Sequence, residues 1–294
     1  MIERIVVPLD GSLTAEAILP QVRRVLYRND SEVILVRAVE LPFVENAITV
    51  AEVQIAAARE YLLGRQERLE KAGVRVSHVV RTGSSAGVIL EIVKERNATM
   101  VAMATHGASG LQRFLFGSTA EAVIRRSPVP VLLVRPFWSY DLVPPVEEAH
   151  RPVRNLLLPV DGSDRSLESL PAVIEFAALF ETRVVLLRVL EKGEAEEEAR
   201  QQLQTIGLTL ERKGVETMIL VEQGNPVEEI LKTVRFREID LIAMATHGRT
   251  GPTRAAAGSV TEEVLRKATV PMLVTRCAGK VDAMTGAPLA TLWM

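Results

Sequence analysis

The chain has 294 residues, 48% of them hydrophobic and 24% charged, with a net charge of −2. These values suit a globular protein of one large or two ordinary domains, and the balanced charge disfavours a nucleic-acid binder or a polybasic membrane contact, both of which need an excess of Lys and Arg. Cys277 is the only cysteine, which excludes an intrachain disulfide and a cysteine-based zinc site. No apolar run approaches the roughly 20 residues of a membrane helix. The opening residues, MIERIVVPLDGS, reach Pro8 and Asp10 too soon for a signal peptide, so a cytoplasmic location is the expectation.

In chain order, Arg4–Pro8 reads as a short apolar strand. Ala15–Tyr27 reads as a helix, with Ser12 or Thr14 as its N-cap. Glu32–Val39 is a second strand, and Val50–Ala72 a long amphipathic helix stopped by Gly73. A strand at Arg75–Arg81, a helix at Ser85–Arg96, a strand at Met100–Ala104, a helix at Ser118–Arg126 and a strand at Val129–Val134 follow. The same order then recurs through Val270–Thr275. Strands rich in Val, Ile and Leu without polar alternation suit a parallel sheet covered on both faces. Their alternation with helices predicts an α/β protein made of two tandem, doubly wound, five-stranded parallel-sheet domains.

The recurrence is literal. AMATHG stands at Ala102–Gly107 and again at Ala243–Gly248, and Gly117-Ser118 returns as Gly258-Ser259, each 141 residues on. IVVPLDGS (Ile5–Ser12) answers LLLPVDGS (Leu156–Ser163) at an offset of 151, so the second copy loses ten residues between its second and third strands. A period near 145 residues is that of a duplicated domain. Residues 1–135 and 154–276 are the expected domains. The Pro-rich stretch 136–153 is the expected linker, and 277–294 a tail. An unpaired apolar edge strand is a liability. Val129–Val134 and Val270–Thr275 are therefore expected to pair within the chain as an internal pseudo-dimer, which leaves a further homodimer open.

In a doubly wound fold, ligands sit at the carboxyl ends of the strands where strand order reverses. Asp10 and Asp161 end the first strand of each half, and the Gly-rich loops follow the fourth. Thr105-His106-Gly107-Ala108-Ser109-Gly110, then Gly117-Ser118-Thr119 at a helix start, make a phosphate cradle on chemical grounds. Glycines admit close backbone approach, and a helix N-terminus presents free N–H groups. The same residues also suit a tight turn with a capped helix, and duplication preserves either.

At these residues the chain resembles the universal stress protein family, whose signature is G-x2-G-x9-G-[ST]. It reads Ala104-x2-Gly107-x9-Gly117-Ser118 and Ala245-x2-Gly248-x9-Gly258-Ser259, with alanine for the first glycine in both halves. The resemblance implies adenine nucleotide alpha hydrolase-like domains that bind ATP, with Mg²⁺ carried by the nucleotide. It implies that Asp10 and Asp161 hold the ribose, with Pro8, Leu9, Pro159 and Val160 beside them. Backbone near Ala38 and Val189 would meet adenine. Gly107, Gly110, Gly117, Ser118 and Thr119, and Gly248, Gly251, Gly258, Ser259 and Val260, would hold phosphates. His106 and His247 join this set as residues that fix loop geometry rather than as catalysts.

Turn-forming is the competing role for the two D-G-S aspartates. Arg113 and Arg254 sit at equivalent loop positions, and Phe114–Phe116 become Ala255–Ala257, so the two loops differ in bulk. The acidic run Glu194–Glu198 reads as a solvated helix face. No Walker A motif, nucleophile elbow or metal-ligand cluster occurs, and no residue stands out as a catalytic base. The expected function is an ATP-binding stress sensor or regulator with an unidentified protein partner. The alternatives are an interaction module with vestigial loops and a slow ATPase.

Overall fold

The computed structural model describes residues 3–26, 31–40, 47–105, 117–135, 151–246 and 259–276. The first half runs β1 (Arg4–Pro8), α1 (Leu13–Glu16), α2 (Leu19–Val25), β2 (Glu32–Val39), α3 (Ala47–Lys71), β3 (Arg75–Thr82), α4 (Ser85–Glu95), β4 (Met100–Ala104), α5 (Ser118–Arg126) and β5 (Val131–Val134). The second runs β6 (Asn155–Pro159), a 3₁₀ turn (Ser166–Ser169), α6 (Leu170–Phe180), β7 (Arg183–Leu190), α7 (Glu196–Glu211), β8 (Thr217–Gln223), α8 (Pro226–Phe236), β9 (Leu241–Thr246), α9 (Ser259–Lys267) and β10 (Met272–Arg276).

Most elements fall where their sequence pattern puts them, and the departures have local causes. The single helix expected over Ala15–Tyr27 is two. Pro20 has no N–H to return to the Glu16 carbonyl, so the chain breaks at Ala17–Ile18 and restarts with Pro20 in the first turn of α2. Pro171 stands at the same place in the second half, where a 3₁₀ turn precedes α6. The missing ten residues are mostly helix: α3 has 25 residues and α7 has 16. Both helices end at a left-handed glycine, Gly73 or Gly214.

All ten strands form one sheet in the order β3-β2-β1-β4-β5-β10-β9-β6-β7-β8. Within each half every pairing is parallel. The seam is antiparallel, with Leu133 opposite Met272, Leu132 opposite Leu273 and Val131 opposite Val274. Successive strand residues face opposite sides. Ile5 and Val7 belong to the core on one face, with Ile18, Leu62, Phe176 and Leu203, while Val6 belongs to the core on the other, with Ile92, Val123, Ile230 and Val264. Each of these two cores is continuous across the seam. Among the described residues no helix is long and apolar enough to cross a membrane.

A polar contact also ties the halves together. The Thr99 hydroxyl accepts from the N–H groups of Glu3 and Arg4 at the start of β1, and Asp240 Oδ2 does the same for Arg154 and Asn155 at the start of β6. The aspartate has a second oxygen to use. Its Oδ1 lies 2.9 Å from the Arg24 guanidinium of α2 in the first half, with side-chain exposures of only 8% and 15%.

Replacing Asp240 by Ala strands two strand-leading N–H groups and a largely buried guanidinium, at a cost of about 3 kcal/mol. Asp240→Thr, which copies the first half, keeps the backbone acceptor and loses clearly less. Urea unfolding of both variants checks the order, and equal losses would contradict it.

Candidate functional site

Strand order reverses between β1 and β4 in the first half and between β6 and β9 in the second. A cleft opens beside the carboxyl ends of the strands at each reversal, as the doubly wound topology requires. The first measures about 230 Å³ and the second about 390 Å³. Pro8, Leu9, Asp10, Ala38, Gly117, Ser118 and Thr119 all line the first. Pro159, Val160, Asp161, Val189, Ser259 and Val260 all line the second. His106, Gly107, Gly110, His247, Gly248, Gly251 and Gly258 lie outside the described residues, as do Arg113, Arg254 and the segments 114–116 and 255–257.

The turn after β1 is built by its aspartate. Asp10 Oδ1 accepts from the Ser12 N–H at 2.9 Å and from the Ser12 hydroxyl at 2.6 Å, and Ser12 Oγ then caps α1 at the Ala15 N–H. Asp161 and Ser163 repeat the first two bonds at the same distances. Between them Gly11 and Gly162 have φ of +87° and +81°, a region that side chains disfavour. Turn formation therefore occupies one oxygen of each aspartate. At Asp161, partial burial alone would raise the carboxyl's pKa. Hydrogen bonding by the Ser163 hydroxyl and N–H and by Ser166, together with the Arg188 guanidinium, outweighs that and holds it below the usual carboxylate value.

Across the first cleft, Gly117 precedes α5 in an extended conformation, and no side chain caps that helix. The Gly117 N–H is taken by the Thr105 carbonyl at 2.8 Å, which anchors the helix start to the end of β4. The uncapped first turn presents its N–H groups to the cleft, an arrangement that accepts an anion. Val36, Ala38 and Ile89 supply an apolar wall, as Leu187, Val189 and Ile230 do in the second half. Ala104 and Ala245 replace the signature's first glycine and line the clefts, and neither has positive φ. The extra methyl therefore brings no backbone strain.

Several lining residues were not expected from the sequence. Arg188 lines the second cleft and its guanidinium lies 2.6 Å from Glu194, while its Nε is buried without a hydrogen-bond partner among the described residues. Glu194 is exposed, as expected, but it lines the cleft and precedes the helix expected to carry it; α7 begins two residues later. Arg165, Met103 and Met244 also line the clefts. The repeat itself carried the one available signal: at an offset of 151, Arg188 falls opposite Arg37, a charged residue kept inside an otherwise apolar strand in both copies. Among the described residues no group of three or more His, Cys, Asp or Glu is placed to hold a metal ion.

Comparison with known proteins agrees with this fold. A sequence model of the universal stress protein family matches twice, over residues 1–135 and 152–276. A universal stress protein of Methanocaldococcus jannaschii is 31% identical over 139 residues, covering 42% of this chain and 82% of that protein. A second from the same archaeon is 32% identical over 126 residues, covering 43% and 67%. Among solved structures, a universal stress protein from Archaeoglobus fulgidus superposes with a TM-score of 0.75 at 20% identity, covering 94% of this chain and 99% of that one. A protein of unknown function from Pseudomonas aeruginosa gives 0.61 at 17% identity, covering 94% and 92%. At these identities the structural likeness speaks to the fold alone.

A depressed carboxyl pKa stabilises the fold above the unfolded-state value of 3.8, and that contribution disappears as pH falls through the lower folded value. Asp161→Asn keeps the turn's acceptor but does not titrate. The stability gap between wild type and this variant should narrow as pH is lowered from neutrality to below about 4. Urea midpoints across that range test the sign, and a gap that stays constant would refute it.

Proposed function

We propose that this chain, which belongs to the universal stress protein family, binds ATP in its two clefts and acts as a nucleotide-dependent stress regulator rather than a metabolic enzyme. The observation that carries this reading is convergence. Residues 8–10, 38 and 117–119 are far apart in the chain, yet they line one cleft, and 159–161, 189, 259 and 260 line the other.

Each part of the cleft has a role in this reading. The apolar wall takes the adenine ring, with the backbone at Ala38 or Val189 along its edge. Asp10 and Asp161, oriented by the turn, accept from ribose hydroxyls. The N-terminal N–H groups of α5 and α9, with the Ser118, Thr119 and Ser259 hydroxyls, face the phosphates. The family resemblance assigns His106, Gly107 and Gly110, and His247, Gly248, Gly251 and Gly258, which lie outside the described residues, to the same phosphates. Mg²⁺ arrives with the nucleotide and neutralises phosphate charge there. Micromolar affinity needs about −8 kcal/mol. A helix dipole supplies only ~0.3–1 kcal/mol, so most of the affinity comes from burying the ring and from several N–H contacts together.

The regulatory half of the reading rests on the lining chemistry. Asp10 is the only acidic or basic side chain among the described residues of the first cleft, and it is tied to Ser12. A residue so held serves binding better than proton transfer, which needs a group free to reach the reacting atom.

Equilibrium dialysis with labelled ATP tests the proposal. Wild type should bind with micromolar affinity, and the double variant Gly117→Asp, Gly258→Asp, which adds a carboxylate in the first cleft and one residue ahead of Ser259 in the second half, should lose at least tenfold, or about 1.4 kcal/mol. Unchanged circular dichroism would confirm that the variant is folded. Absence of ATP binding by wild type would overturn the proposal.

A further inference from the structure

The duplicated clefts are not chemically equal. In the first half the Arg37 guanidinium lies against Gly11 of the D-G-S turn, as that of Arg188 lies against Gly162, but it also packs over the Tyr61 ring of α3, 5.3 Å from its centroid, and is not among the residues lining the cleft. Arg65 covers the same ring at 4.7 Å, and the Tyr61 hydroxyl and Arg65 both donate to Glu16 at 2.8 Å. The aromatic ring and this network hold the Arg37 guanidinium in place beside the turn. In the second half the three partners are gone. Gln202 stands where Tyr61 would be, Ile206 where Arg65 would be, and Leu167 where Glu16 would be.

Without an aromatic face to rest on, Arg188 lines the second cleft. Its side chain is 11% exposed, one guanidinium nitrogen pairs with Glu194, and its Nε is unpartnered among the described residues. A second guanidinium joins it. Arg165, at the position of Thr14 in the first half, is exposed, lines the cleft four residues after Asp161, and forms no ion pair among the described residues. The first cleft has no cation among its described lining residues. The second is also the larger, about 390 against 230 Å³, and it alone lies within the ordinary range of ligand pockets, about 300–1,000 Å³.

We infer that the second cleft is the tighter of the two nucleotide sites, and that Arg165 sets this difference by contacting the phosphates of a nucleoside polyphosphate. The inference rests on the nucleotide reading of both clefts. Arg188 keeps its place beside Asp161 and Glu194 and positions the carboxylate that meets the ribose, while Arg165, with no ion pair of its own, is available to the ligand. A charge-assisted hydrogen bond from a guanidinium to a phosphate contributes to the affinity for a charged ligand and nothing to that for its uncharged nucleoside.

The experiment is isothermal titration of the full chain with ATP and, separately, with adenosine. Gly117→Asp leaves the second cleft to be measured by itself, and Gly258→Asp leaves the first. The second cleft should bind ATP at least tenfold more tightly than the first. In the Gly117→Asp background, Arg165→Ala should weaken ATP binding about tenfold and leave adenosine binding unchanged, and Arg165→Lys, which restores the charge, should recover part of the loss. Equal ATP affinities in the two clefts, or an Arg165→Ala variant that loses ATP and adenosine alike, would overturn the inference while leaving the nucleotide reading intact. A wild type that binds no ATP would overturn both.

Discussion

The pairing of β5 with β10 is the contact on which the rest of the molecule depends. Each half ends in an apolar strand with one open edge, and an open edge of Val and Leu invites association with other chains. The duplication closes each edge with the other. Leu132 and Leu273 meet at the centre of the seam, and both hydrophobic cores run through it. Because the seam is antiparallel while each half is parallel, the carboxyl ends of the two sets of strands point in opposite directions. The two clefts therefore open at opposite ends of the sheet. They are separate sites by construction, and among the described residues the packed seam and the Arg24–Asp240 pair lie between them.

Within each cleft the same groups shape the turn and face the ligand volume. Asp10 and Asp161 use one oxygen to hold a serine and a tight glycine turn. A turn so held fixes the direction of the carboxylate before any ligand arrives, and preorganisation of this kind reduces the cost of binding. The turn-forming role of these aspartates is compatible with the ligand-facing role proposed for them, since a carboxylate fixed by its turn still lines the cleft.

Duplication also left each half free to change what the other kept. The β-strands and the D-G-S turns remained alike because they carry the core and the backbone path. The side chains beneath the clefts did not. A Tyr–Arg–Glu network on α3 and α1 became Gln202, Ile206 and Leu167, and the arginine they surround changed its surroundings from an aromatic ring to a pocket lining.

The sequence by itself was enough for the tandem, the order of strands and helices, and the set of backbone-forming residues around each cleft. These are carried by local signals: apolar runs, glycines at left-handed positions, and an exact repeat of motifs. Local signals also explain the one helix that proved to be two, since Pro20 was in plain view and its missing N–H decides the break. What the sequence left undetermined was the fate of side chains whose partners are distant. Asp240 reads as an ordinary helix–strand connector until the fold brings Arg24, 216 residues away, to its second oxygen. Arg37 and Arg188 hold the same place in the same strand of the same repeat, yet one is stacked on a ring and the other lines a cleft. Their difference is set by residues 61 and 202, which approach only when the helix packs on the sheet. Backbone path follows from neighbours in the chain, whereas the electrostatics of a site follow from neighbours in space.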